Sequence, residues 1–526
     1  MRRSRSLSWV AAFLLTGGGL VGAAVPAQAA VGCATAVPGD VNGDGHAEVA
    51  VGEPFNGEDS GAVHVFYGAS DGLRVDATGT ALNDQYVTQE SPGVPGTSES
   101  GDDFGLSTLL VDLNSDQCAD LVVGAPGENN GAGSVTVLYG SPAGVGTTGA
   151  RSFTENTLFG PGSAARSEVL GSALTSGDLD GDGFTDLVAG APGEVVQGEP
   201  AAGGVFVLWG AAGGLTTGRF GTSLVTQSGS AVPGTPEEAD EFGSAVAAGD
   251  VNGDGLDDLV AGVPGEDGGR GIVQVLPGVT SGLGSEPGVS YGQGTPGVPG
   301  AAEAQDRLGA SVATGDATGD GIADLAVGAP GENGNGDSRL GAGAVSFLRG
   351  SSAGLTGAGA QTWTQDSSGV EGVAEGDDQF GWSLVMAPLD GGPLADLAIG
   401  TPLDDIGSVR AAGSATVLLG SGTGLTTAEA GGLRLHQDVT GIAGTAERLD
   451  FFGLSLGASF VQTTGLANLV IGAPAEGLGG VAGAGQIHQL ATNEFGPNPV
   501  GSRTLHVDTP GVQGTLGSDG FGYSLD

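Results

Sequence analysis

The chain has 526 residues, a formal net charge of −46 and a hydrophobic fraction of 39%. So acidic a chain would repel nucleic-acid phosphates rather than release their counterions, which excludes nucleic acid as a partner, and an anionic membrane surface is disfavoured for the same reason. Divalent cations, basic protein surfaces and neutral sugars are the natural partners of such a surface.

Residues 1–29 are typical of a secretory signal peptide. Three arginines precede an apolar stretch, and Ala27-Gln28-Ala29 supplies the small residues of a cleavage site. The alternative is a membrane anchor, but glycines interrupt the apolar stretch. We therefore predict a secreted, extracellular protein whose mature part, 30–526, contains no segment long and apolar enough to span a bilayer.

An acidic segment recurs seven times along the chain. Its copies begin at residues 40, 112, 178, 250, 316, 388 and 460, so the spacing is 66 or 72 residues. The fourth copy, GDVNGDGLDDLVAGVP at 249–264, has alternating oxygen-bearing side chains followed by a short apolar run that ends in Gly-Val-Pro. A period of this length indicates a repeat architecture.

Each repeat contains three further β-type segments. One is a run closed by a glycine turn, such as VTVLYGSPAGV; one is a strand and turn, such as VTQESPGVPGT; and one is a short strand that begins with Phe-Gly or Leu-Gly. No stretch has a clear helical period. Because one unit of four short strands cannot bury its faces alone, seven units predict an all-β fold: a seven-bladed β-propeller with four-stranded blades, formed by 30–526 as a single domain.

The two ends of the chain are predicted to complete one blade. The first acidic segment, at Asp40, has no Phe-Gly strand before it, and the last Phe-Gly strand, at Phe521, has no acidic segment after it. We expect 521–526 to form the inner strand of the blade built from 40–97, because this closes the ring without exposed sheet edges. The alternative gives 34–37 that position and leaves the C-terminus spare.

The Phe-Gly strand, the acidic segment and its Gly-Ala-Pro ending resemble the FG-GAP repeat of integrin α-subunit N-terminal propellers and their bacterial relatives. The resemblance covers nearly the whole predicted mature chain. It implies a seven-bladed propeller with calcium in some interstrand loops and protein ligands on one face. The resemblance also extends to enzymes that carry such a propeller beside a catalytic domain, for which we expect no room in this chain.

The acidic segments supply the ligands that calcium requires, namely six to eight oxygens at about 2.3–2.6 Å. In the pattern D-x-[DN]-x-D-G-x-x-D, side chains at positions 1, 3 and 5 can converge, position 7 offers its carbonyl oxygen, and the carboxylate at position 9 can bind with both oxygens. An EF-hand is excluded, because position 12 is Ala rather than Glu in the third and fourth copies and the flanks are strand-like. A solvated turn is the other alternative for one copy, but five copies would place uncompensated carboxylates side by side.

Five copies are therefore predicted to bind calcium, with about five structural ions in total. The predicted ligands are Asp40, Asn42, Asp44, His46 and Glu48; Asp112, Asn114, Asp116, Cys118 and Asp120; Asp178, Asp180, Asp182, Phe184 and Asp186; Asp250, Asn252, Asp254, Leu256 and Asp258; and Asp316, Thr318, Asp320, Ile322 and Asp324. Ser115 and Gln117 replace both glycines in the second copy, and Thr318 is a neutral, weaker ligand in the fifth. The sixth and seventh copies, 388–396 and 460–468, have lost most oxygen-bearing residues and are predicted to bind no calcium.

Cys33 and Cys118 are the two cysteines of the chain. In a secreted protein an even number of cysteines favours a disulfide. Cys118 occupies position 7 of the second acidic segment, and Cys33 precedes the first, in what is expected to be the adjacent blade. A Cys33–Cys118 bridge would attach the mature N-terminus to the ring.

Three functions are open on the sequence alone. The first, which we predict, is adhesion or protein binding by a monomeric, calcium-loaded propeller that is not an enzyme and whose ligand is an extracellular protein or glycan. The second is sugar binding, because Tyr67, Tyr139 and Trp209 end the third strand of successive repeats and aromatic rings can stack on sugars; packing between blades is the competing interpretation, which we favour. The third is a secreted hydrolase or polysaccharide lyase, for which no acid–base set can be named, since the G-x-S-x-G matches at 68–72 and 350–354 fall in glycine turns.

Overall fold

The structure is a computed structural model that describes residues 33, 37–74, 84–216, 220, 223–333, 340–428, 432–461 and 466–526. The predicted signal peptide lies outside the described residues. Strands dominate the rest, and they form seven separate antiparallel sheets of four main strands each. The predicted all-β, seven-bladed propeller is confirmed.

Blades 1 to 4 contain fifteen strands and four short helical segments from the first part of the chain. In chain order these are β1 (Val49–Glu53), α1 (Asn56–Asp59), β2 (Ala62–Phe66), β3 (Asp84–Val87), β4 (Ser107–Val111), β5 (Asp120–Ala125), α2 (Glu128–Gly131), β6 (Ser134–Tyr139), β7 (Gly146–Phe153), α3 (Glu155–Phe159), β8 (Leu174–Gly177), β9 (Asp186–Ala191), β10 (Gly204–Leu208), β11 (Ser223–Val225), β12 (Val246–Gly249), β13 (Asp258–Val263), α4 (Glu266–Gly269), β14 (Ile272–Leu276) and β15 (Val289–Tyr291). Blade 1 holds β1 to β3, and the next three blades hold four consecutive strands each.

Blades 5 to 7 contain the remaining strands. These are β16 (Ser311–Gly315), β17 (Asp324–Ala329), β18 (Ala344–Arg349), β19 (Thr356–Trp363), β20 (Leu384–Ala387), β21 (Asp396–Thr401), β22 (Ser414–Ser421), β23 (Gly424–Thr426), β24 (Leu433–Leu435), β25 (Leu456–Ser459), β26 (Asn468–Ala473), β27 (Gln486–Leu490), β28 (Thr492–Asn493), β29 (Gly496–Pro497), β30 (Arg503–Leu505) and β31 (Ser524–Leu525). In blade 6 both β23 and β24 pair with β22, and in blade 7 β28 and β29 form a small separate hairpin.

The innermost strands surround the centre of the ring. Each one contacts the innermost strand of the next blade, in the cyclic order β31, β4, β8, β12, β16, β20, β25 and back to β31. The second strands are buried along their whole length, as in β13 with the sequence DLVAGV, because both of their faces pack against neighbouring blades.

The C-terminus closes the ring as predicted. β31 is the innermost strand of blade 1, with Val51 opposite Leu525 and Gly52 opposite Ser524. The main chain of Asp526 accepts a hydrogen bond from Ala50 at 3.0 Å and donates one back at 3.1 Å. The alternative, with a spare C-terminus, is therefore wrong.

Apolar side chains fill each of the seven boundaries between adjacent blades. The Phe or Leu of each Phe/Leu-Gly strand is buried there and forms a parallel bridge with a glycine before the third strand of the preceding blade. The pairs are Gly61–Phe104, Gly133–Leu170, Gly203–Phe242, Gly271–Leu308, Gly343–Phe380, Gly413–Phe452 and Gly485–Phe521. Gly61 has a φ of +87°, and a Cβ there would lie 2.2 Å from the carbonyl oxygen of Phe104, so this close approach requires glycine.

Candidate metal sites in the hairpin loops

The five predicted calcium loops occupy equivalent places in five blades. In blades 2 to 5 each loop joins the innermost strand to the second strand, as 250–257 joins β12 to β13, and in blade 1 the loop precedes the second strand, β1. All five loops therefore lie at one edge of the ring. The turns that follow the second strands, and the Phe/Leu-Gly segments, lie at the opposite edge.

The loop of blade 4 holds its first ligand positions with main-chain hydrogen bonds. Asp250 Oδ1 accepts from the amides of Gly253 and Asp254 at 2.6 and 3.1 Å, and its Oδ2 accepts from Gly255 at 2.9 Å. Asn252 Oδ1 accepts from the amide of Asp254 at 2.9 Å. These bonds fix both side chains while leaving a second lone pair on Asp250 Oδ2 and on Asn252 Oδ1 for a cation.

The acid at position 9 has a structural role that the sequence pattern did not reveal. Asp258 is buried, and its Oδ2 accepts from the amide of Val251 at 3.1 Å while its Oδ1 accepts from Gly278, after the third strand, at 2.9 Å. One carboxylate thus links the loop, the second strand and the end of the third strand. The acids of the other four loops make the same pair of bonds: Glu48 with Val41 and Gly68, Asp120 with Leu113 and Gly140, Asp186 with Leu179 and Gly210, and Asp324 with Ala317 and Gly350.

Burial shifts the titration of these position-9 acids. It raises the pKa of Asp258 to about 6 and that of Asp186 to about 7, and the charges of the loop acids raise both further although the two amide donors oppose the shift. Burial also raises the pKa of Glu48 to about 9. A bound cation would favour the ionised form of each group and would reverse these shifts.

Two loops bring three carboxylates close together. Oxygen atoms of Asp40, Asp44 and Glu48 lie within 4.8 Å of one another in the first loop, and those of Asp178, Asp180 and Asp186 do so in the third. Ligands on opposite sides of one Ca²⁺ are about 4.6–5.2 Å apart, so both sets fit such an ion. In the first loop Asp44 also forms an ion pair with Arg74 at 2.6 Å, which would compete with a cation.

The second loop adopts the same turn without glycine. Ser115 and Gln117 have φ values of 61° and 70°, in the left-handed region where the equivalent residues of the other loops are glycines. Asp112 still accepts from the amides of Asp116 and Gln117, at 3.2 and 2.9 Å. Asp116 Oδ2 is buried and has no hydrogen-bond partner among the described residues, so an oxygen at ligand position 5 is left for a cation.

The loops are joined to one another around the ring. At six of the seven blade boundaries the amide at position 8 of a loop donates to the carbonyl at position 1 of the preceding blade's loop, at 2.8–3.2 Å. These bonds run from Ala47 to Phe460, Ala119 to Asp40, Asp257 to Asp178, Ala323 to Asp250, Ala395 to Asp316 and Ala467 to Pro388. A ligand that orders one loop would therefore also stabilise the loops of the adjacent blades.

The side chain at position 7 also reaches the preceding loop. Leu256 packs on Gly181 and Ile322 packs on Gly253. They lie so close that a Cβ added to these glycines would be 2.5 Å from a methyl carbon of Leu256 and 3.0 Å from Ile322. In the first loop Cys33 covers Gly43 in the same way, and Cys33 is joined to Cys118 by a disulfide with an S–S distance of 2.07 Å. These contacts involve side chains, and the main-chain carbonyl at position 7 stays a predicted ligand.

The aromatic residues proposed for sugar stacking lie mostly inside the ring. Tyr67 and Trp209 are buried in the boundary clusters, and the amide of Val145 in the next blade donates to the hydroxyl of Tyr67 at 3.3 Å. Tyr139 is partly buried against the boundary between blades 2 and 3. The interpretation as packing between blades is confirmed for Tyr67 and Trp209.

Comparisons with known proteins agree with this architecture. Five segments match the FG-GAP repeat family: 34–66, 104–138, 170–208, 242–276 and 308–348. They cover the first five acidic segments and the strands around them. The sixth and seventh blades have the same strand order although their acidic segments have diverged.

The relatives include integrin subunits and phospholipases. Integrin alpha-PS2 of Drosophila melanogaster is 32% identical over 213 residues, which is 38% of this chain and 14% of that protein. Integrin alpha-5 of Xenopus laevis is 29% identical over 236 residues, which is 43% of this chain and 20% of that protein. Phosphatidylinositol-glycan-specific phospholipase D of Rattus norvegicus is 33% identical over 161 residues, or 29% of this chain and 17% of the enzyme.

The chain thus aligns with a fifth or less of the length of these relatives. Among the described residues, no helix is long and apolar enough to cross a membrane. The repeated segments, the seven blades and the matched relatives agree: the chain contains FG-GAP repeats and resembles the propellers of integrin α subunits.

Proposed function

We propose that the chain is a secreted, calcium-loaded propeller that binds extracellular proteins as an adhesion module. The observation that carries this proposal is the closed seven-bladed ring of FG-GAP repeats together with the similarity to proteins named as integrin α subunits. A rigid ring presents the turns of seven blades on one edge, and such a surface suits recognition of another macromolecule.

Calcium has a structural role in this proposal. Five loops would hold one ion each, through the side chains at positions 1, 3, 5 and 9 and the carbonyl at position 7. The donors are hard oxygens, which calcium prefers. Because the loops are hydrogen-bonded to one another around the ring, ions in them would stabilise the contacts between blades.

The calcium part is tested by thermal unfolding and ion counting on the full chain. Each bound ion adds about 2.7 kcal/mol at a free concentration of 100 Kd, so the melting temperature should rise steeply between EDTA and millimolar Ca²⁺. Asp178→Asn should reduce the number of bound ions by one. Asp390→Asn, in the degenerate loop of blade 6, is the matched control and should leave that number unchanged.

The adhesion part is tested by binding to immobilised extracellular-matrix proteins in Ca²⁺ and in EDTA. We expect saturable binding that EDTA abolishes and that Asp178→Asn weakens without unfolding the ring. Saturable binding that is identical in EDTA would separate the ligand site from the calcium loops. The absence of binding to every protein in a broad panel, in Ca²⁺, would count against the adhesion role.

Sugar binding is kept as a second candidate because of one cavity. A cavity of about 430 Å³ is lined by Asn56, Ser60, Tyr86, Glu90 and Glu99, among other small polar residues. The Tyr86 hydroxyl donates to Asn56 Oδ1 at 3.1 Å, which places a ring and an amide side by side, as in many sugar sites. A glycan array with the native chain and with Tyr86→Ala would detect this function; a loss of signal only in the variant would locate it here.

A non-enzymatic role completes the proposal. The phospholipase D relatives are enzymes by name, but the alignment with the rat protein spans 17% of its length. A screen of the purified chain against phosphodiesters, esters and polysaccharides would overturn this part if turnover were detected and survived further purification.

A further inference from the structure

A second set of acidic residues lies at the edge of the ring opposite the calcium loops. Each of the seven blade boundaries pairs an acid at the end of a second strand, or in the turn after it, with an acid that stands two residues before the Phe or Leu of the next Phe/Leu-Gly strand. The pairs are Glu53–Asp519, Glu128–Asp102, Glu194–Glu168, Glu266–Asp240, Glu332–Asp306, Asp404–Asp378 and Glu476–Asp450. Close like charges of this kind need a donor or a counter-ion.

Six boundaries supply a donor from the protein itself. Four use a glutamine that lies 39 residues before the acid and donates to it: Gln89 to Glu128, Gln227 to Glu266, Gln293 to Glu332 and Gln437 to Glu476. At the fifth, Arg434 Nε donates to Asp404 at 2.8 Å. At the sixth, His64 Nε2 lies 3.5 Å from Glu53 and Asn56 donates to Glu53 at 3.1 Å.

The boundary between blades 2 and 3 is different because a third acid replaces the donor. Glu155 stands 39 residues before Glu194, where five other boundaries have glutamine, including Gln365 before Asp404. One carboxylate oxygen from each of Glu155, Glu168 and Glu194 lies within 4.8 Å of the others. Three carboxylates therefore meet at a point where the other boundaries place at least one hydrogen-bond donor.

The three side chains are nearly enclosed by protein. Glu155, Glu168 and Glu194 expose 7%, 4% and 8% of their surface. Glu155 Oε2 and Glu194 Oε2 are buried and have no hydrogen-bond partner among the described residues, whereas Glu168 Oε2 accepts from the amide of Ala165 at 2.7 Å. Buried oxygens without a partner cost free energy unless something else fills the space between them.

We propose that Glu155, Glu168 and Glu194 bind a divalent cation of the calcium class at the boundary between blades 2 and 3. Three carboxylates offer up to six hard oxygens, and their mutual distances match the span of about 4.6–5.2 Å across one Ca²⁺. Mg²⁺ fits less well, because it demands an octahedron at about 2.0–2.1 Å and usually retains several waters. The ion would replace the amide or cationic donor used at the other boundaries.

A shared proton is the competing way to relieve the same repulsion. Burial and the neighbouring glutamates raise the pKa of Glu155 to about 8, and burial and Glu168 raise that of Glu194 to about 7, so a protonated cluster is chemically accessible near neutral pH. The two possibilities differ in the number of bound ions, and the experiment is built on that difference.

The test compares the full wild-type chain with Glu155→Gln. The substitution installs the residue that five other boundaries already have, so the ring is expected to fold. Equilibrium dialysis against radioactive Ca²⁺ at pH 8 should show one ion fewer per chain in the variant. In EDTA at the same pH the variant should melt at a higher temperature than the wild type, because a glutamine removes the repulsion.

The reciprocal variant adds the site elsewhere. Gln227→Glu creates the same arrangement beside Glu266 and Asp240 and should bind one ion more than the wild type. Equal ion numbers in the wild type and in a folded Glu155→Gln variant would overturn the proposal and leave the shared proton. If the hairpin loops bound no calcium at all, the difference of one ion would still be measurable, so the two proposals fail separately.

Discussion

The hairpin loops of blades 4 and 6 occupy the same place in the ring but have kept different residues. Blade 4 retains Asp250, Asn252 and Asp254, whereas the loop 388–396 of blade 6 retains one acid among the first ligand positions. Yet Asp396, at position 9 of blade 6, is buried and accepts from the amides of Leu389 and Gly420 at 2.7 and 2.8 Å, as Asp258 does from its own partners.

This comparison separates two roles within one motif. The position-9 acid connects the loop to two strands of its blade and is present in a loop that has lost most of the other ligands, so its first role is architectural. The acids at positions 1, 3 and 5 vary independently of it and are the residues that the proposed cation binding depends on. The motif that predicts one calcium site therefore contains two sets of residues with different roles: the architectural acid at position 9 and the proposed ligands at positions 1, 3 and 5.

The largest effect is expected from opening the ring that both loops share. Deletion of 519–526 removes the innermost strand of blade 1 and the buried Phe521, and should cost at least about 5 kcal/mol, since a buried Phe alone is worth about 3–5. Differential scanning calorimetry measures the loss. Phe521→Leu is the matched control, because blades 3 and 5 have Leu170 and Leu308 at that position, and it should cost less than about 1.5 kcal/mol. An unchanged melting temperature after the deletion would refute ring closure by this strand.

The next effect tests whether position 9 is architectural in both loops. Asp258→Ala and Asp396→Ala each leave two main-chain amides without an acceptor, which should cost about 2–6 kcal/mol in EDTA, at about 1–3 per unsatisfied group. Added Ca²⁺ should widen the deficit of the first variant relative to the wild type and leave that of the second unchanged. Urea unfolding curves with and without Ca²⁺ give both numbers. Equal widening for both variants would mean that the blade 6 loop also binds calcium.

The pH dependence of stability should distinguish loops with a cation from loops without one. The raised pKa values of Asp186 and Asp396, about 7 for each, mean that these groups contribute most stability below their unfolded value of about 3.9, and that the contribution is lost as pH rises through 7. In EDTA the melting temperature should therefore fall between pH 5 and 8.

Ca²⁺ should remove part of that fall, because the cation binds the ionised form of Asp186 and not Asp396. Asp186→Asn should flatten the pH profile in EDTA and change it little in Ca²⁺, whereas Asp396→Asn should flatten it under both conditions. Thermal melts from pH 5 to 8 test this, and identical profiles for the two variants would contradict it.

The smallest effect concerns the one ligand-rich loop without glycines. The left-handed conformation of Gln117 costs about 1–2 kcal/mol. Gln117→Gly should therefore stabilise the fold by about 0.5–1 kcal/mol, because glycine removes this strain but loses more chain entropy on folding. The matched control is Gly255→Ala at the same position of blade 4, where a Cβ would meet no atom within 4 Å, so that only backbone strain is added. Chemical denaturation should show a gain for the first and a loss of about 1 kcal/mol for the second.

Local pattern and chain order were sufficient for much of the structure. The spacing of 66 or 72 residues, four β segments per repeat and the offset between the first acidic segment and the last Phe-Gly strand determined the number of blades and the closing strand. These features can be predicted from the sequence because each blade is built mainly from consecutive residues. The same pattern of β segments and turns therefore recurs seven times. The alternating acids also located the turns, since a hairpin loop is a local structure.

Other features depended on the ring itself. The hydrogen bonds between successive loops and the Cys33–Cys118 disulfide, whose cysteines are 85 residues apart, join segments that are distant in sequence. The cluster of Glu155, Glu168 and Glu194 comes from the end of one blade, the approach to the next and a turn within it, and no short motif contains all three. Only the angle at which neighbouring blades pack brings such residues together, and burial in that boundary is what changes their charge and leaves oxygens without a partner.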